Sequence, residues 1–203
     1  MNQSTVVLLS VIGFLSGSVP YALLLGRWRL KRDIRDVGDG NPGATNVLRA
    51  GGVGPFIAAM LLDAFKGAIP VGLAYWAFGL RNEGLVPVAL APLLGHAFSP
   101  WLGGHGGKAV ATTFGIWAGL TGPEVPIVLG LLLGIWFWAL KPSGWALAAA
   151  FMCLLVHLLN YRPDPVFLSI WLGNAILLVW KYRHDLRQSP RLRVERVAGW
   201  LRR

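Results

Sequence analysis

The sequence predicts an all-α integral membrane protein of about seven transmembrane helices, with the N-terminus outside and the C-terminus in the cytoplasm. Three observations carry that expectation. Hydrophobic residues make up 55% of the 203 positions and charged residues only 14%, and the mean hydropathy is +0.55, outside the balance of a soluble domain. The few charges are clustered, which leaves long apolar runs, and a bilayer core of about 30 Å asks for roughly 20 such residues per spanning helix. Finally, Lys and Arg are distributed very unevenly between alternate connections. Residues 1–203 read as a single polytopic domain ending in a basic cytoplasmic tail, 181–203.

The apolar segments follow one another with Gly, Pro or charges between them: Thr5 to Gly26, Gly54 to Leu80, Leu85 to Phe98, Val110 to Leu120, Val125 to Leu140, Gly144 to Asn160 and Val166 to Trp180. No positive charge precedes the first run and it continues well past a signal-peptide core, so it reads as a spanning helix. The third and fourth runs are shorter than a full span. The count therefore lies between five and seven, with seven preferred. The sole cysteine, Cys153, sits in an apolar run, which excludes an intrachain disulfide and a thiolate metal cluster. His157, also on an apolar run, reads as a packed interhelical donor.

With seven spans, the connection holding Arg27, Arg29, Lys31, Arg32, Arg35 and Arg49 falls on the same side as Lys108, Lys141 and the whole basic tail. Only Arg81 and Arg162 face the other side, and Lys66 lies within a span. Short loops rich in Lys and Arg stay cytoplasmic, so the motif-bearing loops are expected there, in a plasma membrane. The net charge of +10 then describes a basic rim facing anionic headgroups and needs no nucleic acid.

Two loops carry chemistry. The first contains Asp33-Ile34-Arg35 and then Gly38-Asp39-Gly40-Asn41-Pro42-Gly43-Ala44-Thr45-Asn46, with Arg49 three residues on. Its glycines permit turns with positive φ that converge backbone N–H groups on one point, as a phosphate requires. Asn41, Thr45 and Asn46 add side-chain hydrogen bonds and Arg49 a bidentate cation. A plain Gly/Asn-rich turn has the same composition. The second loop runs from Gly95-His96-Ala97-Phe98-Ser99-Pro100 to Gly103-Gly104-His105-Gly106-Gly107-Lys108. Paired glycines, a lysine and a following helix N-terminus offer amides and positive charge to an anion. The spacing is not that of a nucleotide P-loop. A third feature, Asp63 and Lys66 in an apolar helix, is expected to pair across one helical turn, serving structure, phosphate binding or loop anchoring.

These three motifs, in this order between apolar helices, resemble the acyl-phosphate:glycerol-3-phosphate acyltransferases, the PlsY family. The likeness is strong from Ser18 to Thr112 and rests on hydropathy and the basic tail beyond. It implies transfer of a fatty acyl group from acyl phosphate to glycerol 3-phosphate, giving 1-acylglycerol 3-phosphate and phosphate. No cofactor and no metal are implied, and the partners are the two substrates and membrane lipids. Carried over by position, Arg49, Lys108, Asn46 and His184 would be catalytic. Gly38, Asp39, Gly40, Asn41, Gly43, Thr45, His96, Ser99, Gly106, Gly107, Asp63 and Lys66 would bind substrate.

Departures from the family pattern are local. Asp39 stands where the family has Ser, which puts a negative charge beside anionic substrates unless Arg49, Arg35 or Lys108 neutralises it. Ala109 replaces a glycine, His105 a lysine, Arg187 an asparagine, and Glu195 is out of register with the family's glutamate. No histidine has an Asp five residues later, so the His/Asp base of other glycerolipid acyltransferases is absent. An acyl phosphate is already activated, and orientation plus charge stabilisation suffice in principle. The rival expectation is a non-catalytic paralogue or carrier that binds phosphorylated lipids or small organic phosphates.

Overall fold

A computed structural model describes residues 2–193. Glu195, Arg196, Arg202 and Arg203, part of the tail as read from sequence, lie outside the described residues. The elements in order are α1 (Gln3–Ser18), α2 (Tyr21–Arg29), α3 (Ala44–Gly51), α4 (Val53–Gly72), α5 (Leu85–Ala97), α6 (Val110–Thr121), α7 (Glu124–Ala139), α8 (Ser143–Tyr161), α9 (Pro165–Lys181) and α10 (Arg183–Leu186). A two-residue antiparallel ladder joins β1 (Leu140–Lys141) to β2 (Arg191–Leu192). The chain forms two compact units, Met1–Gly122 and Pro123–Arg203.

Among the described residues, four segments are long and apolar enough to cross a membrane: Gln3–Arg29, Val53–Ala77, Leu85–Leu102 and Ser143–Tyr161. Three shorter apolar helices, Val110–Thr121, Glu124–Ala139 and Pro165–Lys181, coincide with the remaining runs. The third run gains its length from a 3-10 turn, Pro100–Leu102, and the second ends in a π-helical turn, Leu73–Ala77.

The first span departs from the continuous helix expected over Thr5 to Gly26. It breaks between α1 and α2 at Val19 and Pro20, because proline has no N–H to donate and its ring collides with the preceding turn. Such a break at membrane depth persists only where protein groups satisfy the freed backbone. Here Ser99 Oγ donates to the Ser18 carbonyl at 2.6 Å, Lys66 Nζ to the Val19 carbonyl at 2.8 Å, and Trp101 Nε1 to Ser18 Oγ at 3.1 Å. The second departure is α3, a helix inside the stretch expected to be loop from Arg27 to Arg49.

Glycines set how closely the helices of the first unit approach. Gly13 and Gly17, four apart on α1, face Pro92 of α5, and a side chain at Gly17 would strike the Pro92 backbone. Gly115 and Gly119 repeat the spacing on α6, against the Ala64 and Ala68 carbonyls of α4. In an apolar solvent this small-residue contact substitutes van der Waals packing for the missing hydrophobic drive. A compact core of Ala22, Leu23, Ile34, Val47 and Ala59 then seats α2, α3 and the short 3-10 helix Ile34–Asp36 beside α4.

Within the second unit, Glu124 at the start of α7 pairs with Arg162 at the end of α8, and His157 Nε2 lies 3.4 Å from Glu124 Oε1. His157 is thus packed between helices as expected, but the geometry at Nε2 does not make the expected hydrogen-bond donation. Trp171 Nε1 of α9 donates to the Phe151 carbonyl of α8 at 3.0 Å. Asp185 Oδ2 accepts the Gly144 N–H at 2.9 Å. That bond satisfies one amide at the open N-terminal end of α8 and fixes α10.

Candidate active site

The first loop starts from a rigid base. Ile34 is fully buried against Gly26, while Asp33 accepts from Arg27 at 2.9 Å and Arg35 at 2.7 Å. The hydrogen bond from the Arg35 side chain holds the Asp33 carboxyl far below the usual carboxylate range. Gly38 and Gly40 take φ of +66° and +71°, the left-handed region that favours glycine. A side chain at Gly38 would also strike Arg49 and Asn46. Gly43 differs from the other two: its φ is −125°, and it serves as N-cap of α3 with no side-chain cap there.

Asn46 and Arg49, three residues apart, share one face of α3. Asn46 is only 1% exposed, and its amide is the organising group of the loop. Asn46 Nδ2 donates to the Asn41 carbonyl at 2.9 Å and to Asp39 Oδ1 at 3.0 Å, while Asn46 Oδ1 accepts from Arg49 Nη1 at 2.9 Å.

The second loop folds back on the end of α5. Gly106 N–H donates to the Ala97 carbonyl and Gly107 N–H to the His96 carbonyl, each at 3.1 Å. These two amides therefore satisfy the helix's open carbonyls, and the expectation that they reach toward an anion is corrected. Any side chain at Gly106 would strike the His96 carbonyl, and one at Gly107 the His96 ring. The loop ends at Ala109 with φ +63°, the conformation a glycine would take more cheaply.

Lys108 then reaches the first loop, 69 residues back, and Nζ lies 2.9 Å from Asp39 Oδ2. Arg49 Nη1 is 3.9 Å from Asp39 Oδ1, and the Asn41 N–H donates to the same oxygen at 3.3 Å. Two cations, a buried amide and a backbone N–H thus converge on one carboxylate. Burial pushes the Asp39 carboxyl up, but Lys108 and the donors at Asn41 and Asn46 outweigh it and leave it below the ordinary value. The group is a carboxylate throughout the neutral range. Of the neutralising residues anticipated, Lys108 and Arg49 do the work, whereas Arg35 is engaged with Asp33.

The other expected site residues form a separate buried network. Lys66 and Asp63 are 4% and 2% exposed and pair at 2.8 Å, with His96 Nδ1 3.9 Å from Asp63 Oδ1. Lys66 and Ser99 both donate to the carbonyls of the α1–α2 break. Thr45 is exposed on the first turn of α3, and His184 lies in α10 of the second unit. Sequence reasoning passed over Ser18, Val19, Pro20 and Trp101; a proline inside the apolar run Thr5 to Gly26 was the available signal.

Comparison with known proteins gives a consistent picture. The family model described as glycerol-3-phosphate acyltransferase matches residues 7–190. A glycerol-3-phosphate acyltransferase of Paramagnetospirillum magneticum is 51% identical, over 92% of this chain and 91% of its own length. One from Synechococcus sp. strain CC9902 is 37% identical over 90% of both. Among solved structures, the crystal structure of PlsY (YgiH), an integral membrane glycerol 3-phosphate acyltransferase, in its glycerol 3-phosphate form has a TM-score of 0.81 at 29% identity, covering 90% of each chain. Its lysophosphatidic acid form gives 0.76 at 30% identity with the same coverage.

Proposed function

Because the chain belongs to the glycerol-3-phosphate acyltransferase family, we propose that it moves a fatty acyl group from acyl phosphate to the 1-hydroxyl of glycerol 3-phosphate. The 1-hydroxyl oxygen attacks the acyl carbonyl carbon, the bond from that carbon to the phosphate oxygen breaks, and inorganic phosphate leaves. The hydroxyl proton passes to a substrate phosphate oxygen. The products are 1-acylglycerol 3-phosphate and phosphate, the entry into phospholipid synthesis.

The observation that carries the reading is the convergence of Lys108, from the second loop, and Arg49, from α3, on one anion-sized position beside Asn46. Preorganised donors at such a point stabilise charge developing in the transition state without reorganising during reaction. Arg49 and Lys108 take the phosphate charge, and Asn46 fixes the angle of Arg49. Thr45 and the amides opening α3, whose N-terminal end is positive, stand beside them. His184 is assigned by the family resemblance alone.

Residues 1–203 form one polytopic domain in this reading, with seven spans, the N-terminus outside, and both glycine loops at the cytoplasmic face of the plasma membrane. The Lys and Arg distribution supports that orientation. One feature favours the rival, a non-catalytic binder of phosphorylated lipids: a carboxylate already occupies the cations. Purified protein supplied with acyl phosphate and glycerol 3-phosphate decides between them. Coupled release of phosphate and 1-acylglycerol 3-phosphate is expected; inactivity of well-folded wild type and Asp39→Ser together rejects catalysis.

A further inference from the structure

We infer that Asp39 is the resident counter-anion of the phosphate seat, holding Lys108 until a phosphate-bearing ligand displaces it, and so a specificity-determining residue for anion entry. The identification of the ligand as a phosphate rests on the acyl-transfer reading above.

Geometry comes first. Asp39 Oδ2 meets Lys108 Nζ at 2.9 Å, while Oδ1 accepts from Asn46 Nδ2 at 3.0 Å and from the Asn41 N–H at 3.3 Å. The carboxylate thus sits on the same cation and amide donors that the proposed reaction uses. One oxygen is held by the two neutral donors with Arg49 Nη1 3.9 Å away, and the other by the lysine, so the lysine contact is able to open while the residue stays anchored.

The contact is also one that a ligand can break. The Asp39 side chain is 45% exposed and that of Lys108 29%, and ion pairs this wet are weak. Charge balance points the same way. Lys108 and Arg49 together match a phosphate dianion, but Asp39 leaves the seat with one net negative charge once that dianion is bound. Buried Asn46, by contrast, keeps Arg49 aimed whether or not Asp39 is ionised. The carboxylate therefore costs ligand affinity while keeping the two loops together in the empty protein, and it penalises weakly held anions more than a phosphate.

Calorimetric titration of the purified, full-length protein with inorganic phosphate at constant ionic strength tests this without any turnover. Asp39→Asn, close in shape and able to keep the acceptor toward Asn46, is expected to bind phosphate at least about fivefold tighter than wild type, because Lys108 no longer has a charged partner competing with the anion. The gain is expected to vanish in Asp39→Asn combined with Lys108→Met, which a diffuse surface-charge effect would not do. Asp39→Ser serves as the second variant should the asparagine form fold poorly. Equal or weaker phosphate binding by a folded Asp39 variant overturns the inference, as does a gain that survives loss of Lys108. A wild type that turns over while phosphate affinity ignores Asp39 defeats the inference alone. An inactive protein whose Asp39→Asn form gains phosphate affinity defeats only the acyl-transfer reading.

Discussion

Arg49 on α3 and Lys108 at the end of the second glycine loop approach one point, and their removal should be felt in turnover. Losing one preorganised donor at a reacting centre costs roughly 3 to 4 kcal/mol. Arg49→Ala and Lys108→Ala are each expected to lower turnover on acyl phosphate by at least about two orders of magnitude, with Arg191→Ala, an exposed tail change of the same charge, nearly silent. Phosphate release from matched, folded preparations is the measurement. Asp39→Ser should hold or raise that rate. Ala109 is a residue-scale test of backbone strain. Its left-handed φ costs about 1 kcal/mol for a non-glycine residue, and its buried methyl returns about 0.8 kcal/mol. The two nearly cancel, so Ala109→Gly should leave the melting temperature in detergent almost unchanged. Ala109→Val, which adds a branch to the same strained conformation, should lower it clearly.

At the scale of the elements, helix contacts and a helix break share the load. A leucine at Gly17 or Gly115 would strike backbone of the facing helix, which cannot yield as a flexible side chain does; overpacking costs of about 1 to 3 kcal/mol are the usual floor. Both variants should lose thermal stability sharply, whereas Gly134→Ala, with open space around it, should not. The break at Pro20 depends on Lys66 serving Asp63 and the Val19 carbonyl together. Lys66→Ala strips a buried carboxylate of its cation, a change that costs about 3 to 5 kcal/mol, while replacing a whole buried pair by apolar residues is far milder. Asp63→Leu with Lys66→Met is therefore expected to melt higher than Lys66→Ala alone. The reverse order would mean that leaving Asp63 without its cation costs little, and so that the Asp63–Lys66 pair contributes little.

For the whole molecule, the topology is the quantity to test. Single cysteines at positions 39 and 188, in a background lacking Cys153, should both react with an impermeant thiol reagent in inverted vesicles and neither in sealed cells. Labelling from opposite sides would rule out seven spans. The sequence by itself determined the membrane class, the outer bounds of seven apolar segments to within a few residues, the two glycine loops, and the Asp63–Lys66 pair. Each of those is written locally, in hydropathy, in glycine and proline punctuation, or in a three-residue helical spacing. Tertiary structure decided the rest. Lys108 meets Asp39 across 69 residues, the break at Pro20 is satisfied from 47 and 81 residues away, and the Gly106 and Gly107 amides turn to α5 instead of an anion. A local pattern states which groups a segment offers; which of them remain for a substrate depends on what the neighbouring helices bring within hydrogen-bonding distance, and that is set by packing.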